Sequence, residues 1–311
     1  MSDTKIEWAT KVWNPVTGCS PVSEGCKNCY AKKMAVRLTG RFGYPAVNPF
    51  LPGVYHPDKL LEPFKWKKPQ RVFICSMSDL FHEDIPILGE REILNPLYKS
   101  IFGVIAKNQQ HQFLMLTKRP ERMKTVIEKF MLLHAVYLQF SDTDERHLGE
   151  INFEYGEKFP RMPLPNLWLG VSAENQETLN RRVPVLLDTP AAGRFVSVEP
   201  MLGKIDLNER ELICEAWNKK RATIGTYLDW VICGGETGSN YRPIETDWVR
   251  ELQEQCASTS TAFFFKQRNQ SGDDLLDGKK YKEFPKMMKG ENECQRFGDY
   301  RSGDILIKEC C

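Results

Sequence analysis

The chain has 311 residues, with 43 basic side chains against 41 acidic, a formal net charge of +2 and 41% hydrophobic residues. That supply fills one large core or two smaller ones, and the near-neutral balance excludes a global field for polyanions while leaving room for a local basic groove. No stretch reaches the roughly 18 apolar residues of a membrane span, and the polar start, Met1–Lys11, has no signal-peptide core, so a cytoplasmic protein with no membrane partner is expected, its ten cysteines thiols or metal ligands.

A first strand is expected within Lys5–Val16. It leads into a loop rich in Pro and Gly that carries Cys19, Cys26 and Cys29, and then a helix. Residues Gly40–Gln70, rich in proline and aromatics, form an excursion before the rhythm resumes. From there a short apolar run repeatedly enters a polar cluster and then a helix-like stretch. Arg71–Cys75 runs into Ser76-Met77-Ser78-Asp79, Phe113–Leu116 into Thr117-Lys118-Arg119-Pro120, and Leu167–Val171 into Ser172-Ala173-Glu174-Asn175. Phe195–Val198 precedes Glu199-Pro200, Trp230–Cys233 precedes Gly234-Gly235-Glu236, and Phe263–Phe265 precedes Lys266-Gln267. The runs lack polar alternation, as strands buried on both faces of a parallel sheet do.

Helices are expected over Ile87–Ile105, Glu121–Leu133, Gln176–Leu187 and Thr246–Cys256. Alternating β and α elements predict an α/β fold on a parallel sheet; seven such units favour a (β/α) barrel, full or partial, over residues 1–267. Residues of about 136–165, charged and bounded by prolines, read as an insertion or lid, and 268–311 as a C-terminal extension packed on the barrel. In a parallel barrel the polar clusters after the strands meet at the C-terminal mouth, where active sites sit. Lys118 and Arg119 suit a carboxylate or phosphate, and Glu199, Glu236 and Lys266 are further candidates there. Cys75, Cys214, Cys233 and Cys256 read as buried small hydrophobes, and most tryptophans as core. Lys65-Trp66-Lys67-Lys68 reads as a solvated basic patch.

The strongest local signal is Cys19-x6-Cys26-x2-Cys29, followed by Tyr30-Ala31. Three thiolates are one short of the four that close an ordinary Fe–S or structural zinc site. The fourth position is then either filled from afar, for instance by His56 or His82 on zinc, or left open for a ligand. The rival readings are thus a zinc- or Fe–S-stabilised non-catalytic protein that binds nucleic acid or a partner, and an enzyme.

Taken together, Trp13-Asn14-Pro15, the cysteine loop with Tyr30-Ala31, Ser76-Met77-Ser78-Asp79-Leu80-Phe81, Leu116-Thr117-Lys118-Arg119-Pro120, Gly170-Val171-Ser172, Ser197-Val198-Glu199-Pro200 and Gly234-Gly235-Glu236 resemble an uncharacterised, largely phage- and prophage-borne family named for its three-cysteine motif. That family is similar to the radical S-adenosylmethionine superfamily, although the superfamily's usual C-x3-C-x2-C has a shorter first gap. The resemblance implies a radical-type barrel with a [4Fe–4S] cluster on Cys19, Cys26 and Cys29, S-adenosylmethionine on the fourth iron, and a flavodoxin- or ferredoxin-type electron donor. By position it implies Ser76, Ser78 and Asp79 for the amino group of S-adenosylmethionine, and Ser172 and Glu174 for its ribose. The phage-like setting associates the substrate with a nucleobase, nucleotide or nucleic acid.

Overall fold

The computed structural model describes residues 4–89, 94–141, 162–209, 211–213, 221–238, 240–269 and 272–286. The chain opens with β1 (Lys11–Trp13), β2 (Val16–Thr17), α1 (Tyr30–Arg37), β3 (Val54–Tyr55) and α2 (Pro57–Leu60). It continues through β4 (Arg71–Ile74), α3 (Pro96–Lys107), β5 (Gln112–Thr117), α4 (Pro120–Ser141), β6 (Leu167–Ser172), α5 (Gln176–Leu187) and β7 (Gly193–Val198). A hairpin of β8 (Glu211–Ile213) and β9 (Arg221–Thr223) precedes β10 (Trp230–Cys233), α6 (Thr246–Ser258) and β11 (Ala262–Phe265), and a last hairpin joins β12 (Leu275–Leu276) to β13 (Lys279–Lys280).

Seven strands build one all-parallel sheet in the order β1-β4-β5-β6-β7-β10-β11. Each new strand is laid beside the last, so the sheet winds in one direction and curls into a half-barrel with β1 and β11 at its edges. The partial form of the expected barrel is what the described residues make.

Strand side chains alternate between two cores. Val72 and Ile74, Phe113 and Met115, Leu169 and Val171, Val196 and Val198, and Val231 and Cys233 share one cluster with Tyr98 and Phe102 of α3, Met123 and Phe130 of α4, Leu179 and Val183 of α5, and Leu252 and Cys256 of α6. The intervening residues point to the inner face: Phe73, Leu114, Trp168, Phe195, Trp230, Ile232 and Phe264 form a second cluster that, among the described residues, no helix enters. Burial on both faces is why the runs read as uniformly apolar.

The inner cluster is closed by both ends of the described chain. Trp8 packs on Phe73 with ring centroids 4.6 Å apart, and Phe284 lies 5.4 Å from both Trp230 and Phe264. Two glycines make room for the rings. A Cβ on Gly193 would stand 2.2 Å from the Trp168 ring, and one on Gly170 would stand 2.5 Å from Phe195. The start of the expected C-terminal extension packs along β11, where Phe265 N donates to Tyr281 O at 2.8 Å and Glu283 N to Phe263 O at 3.1 Å; residues 287–311 lie outside the described residues.

Two helix boundaries differ from expectation by more than two residues. The helix expected from Ile87 begins at Pro96, because Asn95 caps it, its Oδ1 accepting from Leu97 N at 2.9 Å, with proline in the first turn. The helix expected to end at Leu133 runs on to Ser141, so the first part of the expected insertion is helical; its residues 142–161 lie outside the described residues. Among the described residues no helix is long and apolar enough to cross a membrane.

Candidate functional site

The cysteine loop leaves the sheet under tight backbone control. Asn14 Oδ1, just past β1, accepts from Ser76 Oγ (3.2 Å) and Met77 N (3.1 Å), tying the loop to the end of β4. Ser78 Oγ donates to Val16 O at 2.9 Å. Gly18 has φ +87°, and a Cβ there would stand 1.7 Å from Leu51 O, so only glycine passes. Cys19 N then donates to Phe50 O at 3.2 Å. A short 3-10 turn carries Glu24–Cys26, and Cys29 occupies the N-cap of α1. All three thiols are free and partly buried. Burial first, then the Asp79 carboxylate, pushes the Cys19 thiol up to about 11 against the opposing pull of Arg119, so without a metal this thiol stays protonated at neutral pH.

Three buried carboxylates from three strand ends hold this loop through cations and amides. After β4, Asp79 accepts from Phe81 N, Thr117 Oγ1, Lys118 N and Arg119 Nη1. Arg119 in turn donates to Glu83 (2.7 Å), to Ser20 O (3.3 Å) and, through Nη1, to the Cys19 sulfur at 3.7 Å. After β6, Glu174 meets Lys118 Nζ at 2.5 Å, Arg182 Nη1 at 2.9 Å and Ser23 Oγ at 2.6 Å. Burial alone would raise its pKa, but Lys118, then Arg182, hold it down at about 2. Gly25 packs directly on this carboxylate; a Cβ there would stand 2.3 Å from Glu174 Cγ. After β10, Glu236 pairs with Arg242 (2.6 Å) and accepts from Asn28 Nδ2 (2.8 Å), while Arg242 reaches Glu24 at 3.3 Å.

Glu199, after β7, is different. Its Oε1 is buried and accepts no hydrogen bond; Lys266 Nζ lies 3.2 Å away as a charge partner without hydrogen-bond alignment. Ser197 Oγ donates to the other oxygen at 3.3 Å. Gly234 stands beside it, where a Cβ would come within 2.9 Å of Glu199 Oε1.

The structure therefore gathers most of the residues singled out in the sequence. Cys19, Cys26, Cys29, Asp79, Lys118, Arg119, Glu174 and Glu236 belong to one connected network, with Glu199 and Lys266 paired at β7 and β11. Some are committed differently from the expected roles. Ser76 and Ser78 brace the cysteine loop, and Asp79 and Glu174 already receive their donors from the protein. Ser172 is buried and lends its carbonyl to Arg182 Nη1 at 2.7 Å, and the helix after it is capped by Asn175 through a capping box with Thr178. Ser23, Asn28, Glu83, Arg182 and Arg242 escaped the sequence reading. They lie on turns and helix faces where a polar residue is ordinary, and no spacing marks them.

The histidines offered as a remote fourth zinc ligand are hydrogen-bonded to protein groups. His56 Nε2 bonds Thr17 Oγ1 at 2.7 Å; His82 bonds Ser20 Oγ through Nε2 at 2.6 Å and accepts from Asp84 N at 3.0 Å. Among the described residues no three or more His, Cys, Asp or Glu side chains are gathered as a single metal ion requires. A closed tetrahedral zinc site needs four donors at about 2.0–2.3 Å from one centre, and the cysteine loop supplies three thiols. The donor chemistry open to an iron–sulfur cluster is three thiols on one loop, a guanidinium donating to one sulfur, and further cations close by to balance thiolate charge.

A family model described as "Protein of unknown function (DUF5131)" matches residues 3–295, and the chain belongs to that family. No curated protein and no solved structure matches it.

Proposed function

We propose that this member of the family is an iron–sulfur enzyme of the radical S-adenosylmethionine type, working at the mouth of the half-barrel. The observation that carries the reading is the placement of the three-thiol loop. It sits at the C-terminal ends of parallel strands, where the loops after β4, β5, β6 and β10 all touch it. Cys19, Cys26 and Cys29 would hold a [4Fe–4S] cluster and leave one position open for S-adenosylmethionine. When bound, the cluster supplies the electron that cleaves S-adenosylmethionine and starts hydrogen abstraction; a flavodoxin- or ferredoxin-type protein would deliver it.

The chain's own residues then have distinct tasks. Arg119 orients the Cys19 sulfur, and with Lys118, Arg182 and Arg242 it offsets negative charge around the loop. Glu199, whose buried Oε1 has only the unaligned Lys266 ammonium beside it, suits the ammonium of S-adenosylmethionine better than Asp79 does, because Asp79 already accepts four hydrogen bonds. Glu174 and Asp79 become positioning residues for the loop.

Anaerobic reconstitution tests the reading. The wild-type protein should take up about four irons per chain with visible absorbance, and Cys26→Ala should lose both. With dithionite and S-adenosylmethionine the loaded protein should form 5′-deoxyadenosine, and Glu199→Gln should slow this while keeping its iron. Full iron content in Cys26→Ala, or one zinc per chain without colour, would sink the assignment.

A further inference from the structure

The net charge of +2 conceals a strong local imbalance. Between residues 25 and 57 there is no Asp or Glu, yet the stretch carries Lys27, Lys32, Lys33, Arg37 and Arg41, leaving the rest of the chain net acidic. All five cations are exposed, and among the described residues none has a carboxylate partner in an ion pair. Helix α1 turns only Ala31 and Ala35 fully inward, presenting Lys32, Lys33, Met34, Val36 and Arg37 to solvent.

Aromatic rings are interleaved with these charges. Phe42 is 72% exposed, Tyr30 49% and Tyr55 42%. Tyr30 is anchored at the rim by its hydroxyl, which donates to Ser76 O at 2.6 Å. The surface runs into the candidate site at two points. Lys27 lies within the cysteine loop itself, and Lys33 reaches across to the loop after β10, where a Cβ on Gly238 would stand 2.9 Å from its Nζ.

Exposed cations that form no ion pair among the described residues suit a phosphate backbone, and solvated aromatic faces among them suit unstacked bases. A duplex would offer its phosphates but hide its bases from the rings. We infer that α1 and residues 38–55 form a binding track for single-stranded nucleic acid and lead it into the mouth. This deepens the reading above by naming its substrate class, and rests on that reading only for where chemistry takes place. Binding itself needs no iron, so iron analysis and a binding assay fail independently.

The test is fluorescence anisotropy of the full-length protein with a labelled oligothymidylate of about 20 nucleotides. Wild type should bind with marked salt dependence. Replacing Lys32, Lys33 and Arg37 by Glu together should weaken binding at least about tenfold and flatten the log–log salt slope by about 2. Phe42→Ala should weaken binding about fivefold or more with the slope unchanged. The control is the other basic patch, Lys65, Lys67 and Lys68, which precedes β4 at the opposite end of the sheet; reversing those three charges should leave affinity within about twofold, because only the track touches the strand. Circular dichroism would verify folding of each variant. The inference is overturned if wild type does not bind at low salt, if reversing the control patch weakens binding as much as reversing the track, if Phe42→Ala has no effect, or if duplex of equal length competes as well as single strand.

Discussion

The inner face of the sheet has two halves with opposite chemistry. Its floor is ring against ring: Phe73, Trp168, Phe195, Trp230 and Phe264, closed by Trp8 and Phe284. Its mouth is charge against charge. The change happens along single strands, two residues at a time, because alternate residues share a face. On β6 the inner positions go from Trp168 through Gly170 to Ser172, on β7 from Phe195 through Ser197 to Glu199, and from β11 outward from Phe264 to Lys266. One end of each strand therefore secures the fold, and the other end presents groups that cost stability to hold in place and suit binding.

The largest effect should come from the floor. Trp168→Ala removes a fully buried ring flanked by Gly193 and should cost about 3–5 kcal/mol in urea denaturation. A loss below about 1 kcal/mol would mean the floor collapses freely and the contrast between the halves is false.

The next effect tests the exception, a charge at the mouth that is structural. Glu174 is held at about 2 against an ordinary 4.5. A depressed carboxyl contributes stability above its unfolded pKa and loses it as the pH falls through the folded one. Glu174→Gln should therefore cost about 3 kcal/mol at pH 7, since it leaves Lys118 and Arg182 facing a neutral amide. The difference from wild type should shrink from about pH 4.5 downward and vanish near pH 2, as paired denaturation curves would record. A penalty constant across that range would assign the loss to packing and not to charge.

The floor was far more legible in the sequence than the mouth. Runs such as Val72–Ile74 or Trp230–Cys233 are written in side chains that sheets bury on both faces, so the strands and their parallel order could be read without contacts. The start of α3 was also written there, in Asn95-Pro96, but the apolar residues from Ile87 onward masked it. The short strands β2, β3, β12 and β13 have two residues each, too few for any period. At the mouth, residue types and strand ends were readable but pairings were not. Nothing local says that Glu174 will spend its oxygens on Ser23, Lys118 and Arg182, positions 151, 56 and 8 residues away, or that Glu199 will face Lys266 across the mouth.

The smallest effect is the sharpest test of the comparison. Lys266 and Glu199 form the mouth's least committed pair, with side chains 25% and 17% exposed. Half-open pairs of this kind gain little, because solvent screens them and two side chains must be held still. Lys266→Ala should change stability by less than about 1 kcal/mol, several-fold below Trp168→Ala on the same face. Glu199 keeps its bond from Ser197 in that variant and becomes more available to any cationic ligand. If Lys266→Ala instead cost as much as a floor ring, the pair would be part of the scaffold, and the division between a floor that folds the protein and a mouth that binds would have to be redrawn at β7 and β11.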